Sequence, residues 1–201
     1  TIVPLANIPI HLRHAVLAAE NKSFYTDRAI SPIGILRAIF NNLRGGSLQG
    51  GSTITQQYAK TAFLTPDRTI KRKIKEIVIS IKLESQYSKD QILENYLNTI
   101  YFGRGAYGVE TGAQVYFGRS VDQLTIEQAV VLASILRSPG YYDPYYKKGN
   151  LERLQARYQY VIKGLLEKKW ISKERATRAE ANFPQVKPRL STGQLAGPKG
   201  Y

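Results

Sequence analysis

The sequence predicts an all-α, or nearly all-α, fold. Three observations carry this: apolar residues recur at helical spacing in successive segments, two residue sets have the form of helix-opening capping boxes, and no stretch shows convincing period-2 alternation. There are no internal repeats.

Ile10 to Ala19, with Ile10, Val16, Leu17 and Ala18, predicts a helix that runs directly into Glu20. Ser31-Pro32 has the form of a second helix start, Ser as N-cap and Pro in the first turn, with Ile35, Leu36, Ile39, Phe40 and Leu43 on one stripe beyond it. Arg44-Gly45-Gly46-Ser47 ends that helix. Gln49-Gly50-Gly51-Ser52 is another Gly-rich break before Thr53 to Ala62 resumes a helical pattern.

Thr69 to Glu84 predicts a long, strongly basic helix whose buried face is Ile70, Ile74, Ile77, Val78, Ile81 and Leu83. Ser88 with Gln91 opens the helix containing Ile92, Leu93, Tyr96 and Leu97, and Thr125 with Gln128 opens the one containing Val130, Val131, Leu132 and Leu136. Between them Gly103 to Gly118 breaks the regularity, and Gly112-Ala113 suits close backbone packing. Ser138-Pro139-Gly140-Tyr141 is a turn, and Asn150 is expected to cap a helix with Leu151, Leu154, Val161 and Leu165 on its face. Beyond Phe183 the chain is rich in Pro, Gly and Lys and predicts a linker.

The 201 residues suffice for one domain with its own core. Lys and Arg number 29 against 15 Asp and Glu, and the net charge of +14 favours anionic partners: nucleic acid, lipid headgroups or phosphate-bearing substrates. Cys is absent, which excludes disulfides, thiolate metal sites and Cys nucleophiles. No run approaches the roughly 20 apolar residues of a spanning helix, and no signal-peptide pattern opens the chain. Met is also absent, so Thr1 is expected to be an internal or processed position, with any membrane anchor upstream.

Glu20 is the first candidate for chemistry. A carboxyl partly buried at the end of an apolar helix gains proton affinity toward the range useful for a general base, although a Glu at a helix end is also commonly solvated. Glu76 is the second, and its spacing from Arg72 and Lys73 equally describes local ion pairs. Lys60, Arg68, Lys71, Arg72, Lys73 and Lys75 crowd a stretch opposed only by Asp67, which suits an anionic ligand or a solvated face. Gly50-Gly51-Ser52-Thr53 lacks the Gly-Lys-Ser/Thr ending of a P-loop. His11 and His14, without Cys or an HExxH pattern, predict surface residues and no metal site. Tyr141, Tyr142, Tyr145 and Tyr146 suit a membrane interface, sugar stacking or ordinary packing.

Three strings then resemble one family in order. Gly50-Gly51-Ser52-Thr53-Ile54-Thr55-Gln56-Gln57, Arg72-Lys73-Ile74-Lys75-Glu76, and Lys89 to Asn98 followed by Tyr101-Phe102-Gly103 are similar to motifs of the family 51 glycosyltransferases, the glycosyltransferase domains of class A penicillin-binding proteins and the monofunctional transglycosylases. The resemblance covers about residues 8–182. Its first motif departs: the family usually reads Glu-Asp-x-x-Phe-Tyr-x-His-x-Gly, and this chain keeps Glu20, Phe24 and Tyr25 but has Asn21, Asp27 and Ala29.

The resemblance implies a lysozyme-like large lobe with a smaller membrane-facing jaw lobe at about residues 31–66, within a glycosyltransferase domain of residues 1–182 followed by a linker at 183–201. The stripe Ile35 to Leu43 would then contact lipid. The implied reaction polymerises lipid II into β-1,4-linked strands with inversion. Glu20 would be the base and Glu76 the second catalytic carboxylate. Arg37, Ser52, Thr53, Gln57, Lys60, Arg68, Arg72 and Lys73 would bind substrate, with fixed cations taking the place of a metal. No cofactor is required, though a divalent cation such as Mg is compatible.

The implied setting is the outer face of the bacterial cytoplasmic membrane. It carries a single-pass anchor before Thr1, a transpeptidase domain after Tyr201, and lipid II, the growing lipid-linked strand and other cell-wall proteins as partners. Two rivals remain: a lysozyme-like hydrolase, whose neutral leaving group needs no cations, and a nucleic-acid-binding domain, which rests on charge alone.

Overall fold

The structure, a computed structural model, describes residues 2–27, 52–65 and 69–189. Within these, regular structure is helical apart from one short hairpin, as the sequence predicts. The expected helix from Ser31, its stripe Ile35 to Leu43, Gly50, Gly51, Arg37, Asp67 and Arg68 lie outside the described residues.

The core is built on α1 (Ile10–Glu20), α6 (Ile126–Leu136) and α8 (Asn150–Glu167), each packed on the other two. α1 buries Leu12 and every residue from Ala15 to Ala19, and α6 buries every residue from Ala129 to Leu136. Small alanines let these helices approach closely, while Leu12, Val16, Leu132, Leu154 and Ile162 fill the space between them. α1 is therefore enclosed from Ala15 to Ala19, and Glu20 at its C-terminal end is drawn toward the interior.

A second group, α2 (Ile54–Phe63), α3 (Ile70–Gln86) and α4 (Lys89–Thr99), has α2 packed on both partners. Thr53, Thr69 and Ser88 cap these helices through their hydroxyls, and Ser88 completes a capping box with Gln91. Thr125 and Gln128 form the other predicted box at the start of α6. The hairpin β1 (Tyr101–Gly103) and β2 (Ala106–Tyr107) is antiparallel and leads into α5 (Val109–Phe117). Gly108 joins β2 to α5 at φ +83°, where a Cβ would lie 2.6 Å from Asn98 O. Gly112 packs against the Phe102 ring rather than against another backbone.

The inward face of α3 differs from the predicted one. Ile77 and Leu83 are buried, but Ile70, Ile74 and Val78 are exposed, and Glu76 and Ser80 face inward instead. Polar contacts share the inward face with the buried Ile77 and Leu83: Thr55 Oγ1 of α2 donates to Glu84 at 2.6 Å, and Ser52 Oγ, just before α2, donates to Glu76 at 3.4 Å.

Asn150 does not cap α8 either. Gly149 occupies that position at φ +83°, while Asn150 is buried and donates to Gly140 O and Asp143 O at 3.2 and 2.8 Å. It thereby ties down the short helix α7 (Pro139–Tyr142) that replaces the predicted turn, and Leu151 is exposed.

The histidines are half-buried rather than on the surface. His11 Nε2 donates to Leu124 O at 2.8 Å, and His14 stacks on Trp170 with ring centroids 4.5 Å apart. After α9 (Lys173–Ala181) the chain runs extended to Arg189, with Val186 buried and Lys187 N donating to Tyr116 O at 2.9 Å. Among the described residues, no helix is long and apolar enough to cross a membrane.

Candidate active site

Glu20 ends α1, and its side chain is only 7% exposed. Gln57 Nε2 donates to Oε2 at 2.9 Å, and Arg157 Nη2 lies 3.4 Å from Oε1 while donating to Ala19 O at 2.7 Å. Gln57 is held from both ends. Its Oε1 accepts from Tyr96 OH at 3.0 Å, and its Nε2 also reaches Ser52 O at 3.2 Å. Tyr96 is fully buried; that burial, and then the charge of Glu20, push its phenol well above the ordinary range, so it stays a donor. The amide of Gln57 therefore has one orientation, with Nε2 toward Glu20.

Glu76 is 1% exposed. Lys73, one turn earlier on α3, pairs with Oε1, and Arg72 Nη1 lies 3.3 Å from Oε2. The local ion pairs suggested by the spacing are present, but around a buried carboxylate. One acid against two cations leaves the trio net positive, and the Lys73 side chain is 38% exposed, so positive charge faces solvent while the carboxylate does not. Arg72 Nε is buried without a partner among the described residues, a donor still open.

Ser52 joins the two halves. Its carbonyl accepts from Gln57, and its hydroxyl donates to Glu76 Oε1 at 3.4 Å and accepts from Lys73 Nζ at 3.0 Å. One polar network thus runs from Tyr96 through Gln57 to Glu20 and through Ser52 to Lys73, Glu76 and Arg72. Of the other expected ligands, Thr53 uses its hydroxyl to cap α2, and Lys60 is exposed without an ion-pair partner among the described residues. Arg37 and Arg68 fall outside the described residues.

Arg157 and the role of Tyr96 were not foreseen. The signal for Arg157 was available: it lies three residues after Leu154 and four before Val161, both buried, so a cation interrupts the apolar stripe of α8. Its partner, 137 positions away, was not.

Residues 1–166 match the family model described as Transglycosylase. The chain is 42% identical over 205 residues to penicillin-binding protein 1A of Mycobacterium tuberculosis, covering 98% of this chain and 24% of that protein. It is 45% identical over 178 residues to penicillin-binding protein 1A of Aquifex aeolicus, with 88% and 24% covered. Against penicillin-binding protein 1A of Escherichia coli the identity is 43% over 182 residues, with 89% and 21% covered. The crystal structure of penicillin-binding protein 1A from Haemophilus influenzae superposes on 94% of this chain and 18% of its own, with a TM-score of 0.56 and 24% identity, which shows a shared fold. The chain spans about a quarter of the length of these curated relatives.

Proposed function

This chain belongs to the transglycosylase family, and from that premise we propose that it is a peptidoglycan glycosyltransferase that polymerises lipid II into β-1,4-linked glycan. The supporting observation is the single network that joins two buried carboxylates to the cations Arg72 and Lys73.

In this reading Glu20 takes the proton of the acceptor sugar's 4-hydroxyl, an act suited to a carboxylate held rigidly by Gln57 and Arg157. The hydroxyl oxygen attacks the donor's anomeric carbon on the face opposite the diphosphate. As that bond forms, the bond to the diphosphate breaks, its electron pair leaves with undecaprenyl diphosphate, and the configuration inverts. Charge grows on the leaving group, and Arg72, Lys73 and Lys60, with Arg37 and Arg68, are its counter-charges. Glu76 holds Arg72 and Lys73 in place beside Ser52. A hydrolase acting on a neutral glycosidic leaving group has no use for such cations.

These fixed charges serve where a metal otherwise would; adding Mg2+ to a chelated preparation reports whether a divalent cation assists. The lipid-linked substrate sets the work at the outer face of the cytoplasmic membrane. The scheme includes an anchor upstream, a transpeptidase domain downstream, a domain boundary near residue 182, and other cell-wall proteins as partners, but no nucleic acid.

Incubation with purified lipid II, followed by separation of glycan polymer, tests the reading. Polymer is expected from the chain as it stands, and a rate lower by about 10²-fold or more from Glu20→Gln, an acid replaced by an amide at nearly constant volume. Polymer formation by Glu20→Gln at the parent rate would remove Glu20 from the role of base.

A further inference from the structure

The turn that leaves Glu20 is closed by a hydrogen bond between two of the positions where the first motif departs. Asn21 Nδ2 donates to Asp27 Oδ2 at 3.0 Å, and Ser23 Oγ donates to the same oxygen at 3.0 Å. Asn21 is the residue at which the chain leaves α1: its N–H still bonds to Leu17 O at 2.9 Å, while its φ of −160° is no longer helical. Its carbonyl accepts from Phe24 N at 3.1 Å, and the Phe24 ring is buried in the core. Farther along, Tyr25 OH donates to Asp90 Oδ1 at 2.6 Å at the start of α4.

The chemistry of the pair fixes its direction. A carboxylate at 27 only accepts, so residue 21 must donate; an amide does so, and a second carboxylate there would face the first at hydrogen-bond distance. The cost is visible, since Asn21 Oδ1 is buried without a partner among the described residues. Resting on the reading of Glu20 as base, we propose that Asn21 and Asp27 are positioning residues: their hydrogen bond closes the exit turn and holds the end of α1, and with it the Glu20 carboxylate, in the orientation that Gln57 and Arg157 then fix. Neither residue need touch substrate.

The exchange of the two side chains tests this. With lipid II as substrate, Asn21→Asp should lower kcat about tenfold or more near neutral pH with KM within about twofold, because orientation rather than binding is lost. Its kcat relative to the parent should rise as pH falls to about 5.5, where one proton shared by the two carboxylates restores a hydrogen bond. The double variant Asn21→Asp with Asp27→Asn reverses donor and acceptor and should return kcat to within about threefold of the parent.

A parental kcat in Asn21→Asp, a double variant as impaired as the single one, or losses that only track the folded fraction in thermal melts would overturn the proposal. If the parent chain itself makes no polymer, it is the reading of Glu20 as base that fails. The brace is then judged by the 13C resonance of the Glu20 carboxyl: one sharp line in the parent and the exchange variant and a broadened or doubled line in Asn21→Asp support it, and equally sharp lines in all three overturn it.

Discussion

Gln57 donates to Glu20 through the one orientation that Tyr96 allows, at 2.9 Å on the Glu20 side and 3.0 Å on the Tyr96 side. A neutral side chain therefore orients the proposed base without neutralising it. Gln57→Leu keeps similar bulk but breaks the link to Glu20, to Ser52 and to Tyr96 at once. Polymerisation should fall about 10²-fold in kcat, the scale of a small misplacement of a reacting group. Initial rates on lipid II measure it, and a change below about threefold would separate the network from catalysis.

What was legible in the sequence was mostly local. The capping boxes at Ser88 and Thr125 need only residues three apart, and the helix running into Glu20 needs only its own apolar run. The inward face of α3 differs because periodicity assumes that apolar residues turn inward, whereas Glu76 is buried by its bonds to Ser52, Arg72 and Lys73, and Ser80 is buried with its hydroxyl on Ile77 O. Asn150 was misassigned because a buried amide bonded to Gly140 O and Asp143 O has the same local sequence as a cap. For the site, motif resemblance supplied Glu20, Gln57, Ser52 and Glu76, but not the order of hydrogen bonds among them, which depends on helices far apart in the chain.

The cations make a separate prediction. Arg72 pairs with Glu76, and Lys60 stands exposed on α2. If both serve the donor diphosphate, Arg72→Ala and Lys60→Ala each remove a charge-assisted hydrogen bond. Affinity for a phosphoglycolipid of the moenomycin type should then weaken by about 1.5 to 3 kcal/mol, roughly ten- to hundred-fold. Fluorescence anisotropy with a labelled glycolipid reads this directly, and unchanged affinity in both variants would reduce the cluster to a solvated face.

Arg104 and Asp143 bear on stability instead. Their side chains are 4% and 6% exposed, with two contacts at 2.8 and 2.6 Å, and Arg104 Nη1 also donates to Lys187 O at 2.7 Å. The pair therefore fastens the extended segment before Arg189 to the hairpin turn. Asp143→Ala strands a buried guanidinium and should cost about 3 to 5 kcal/mol, lowering Tm by roughly 10 °C. Polymerisation per folded molecule should stay near that of the parent, because neither residue enters the network around Glu20. Differential scanning calorimetry beside activity at low temperature separates the two effects.

His14 gives the chain a pH dependence whose sign is fixed. Burial first, then Arg13 and His11, hold its imidazole below the ordinary value of 6.5, and the neutral ring stacks on Trp170. In the unfolded chain the same group takes a proton near pH 6.5, so below that pH the unfolded state binds more protons than the native one. Its contribution is therefore fully present above the unfolded pKa and is lost as pH falls through the lower, folded one. His14→Phe preserves a ring against Trp170 but cannot titrate. Denaturant unfolding between about pH 7.5 and about pH 5 should show the parent losing more stability than His14→Phe as pH falls. Parallel curves for the two proteins would mean that His14 titrates alike in the folded and unfolded chains.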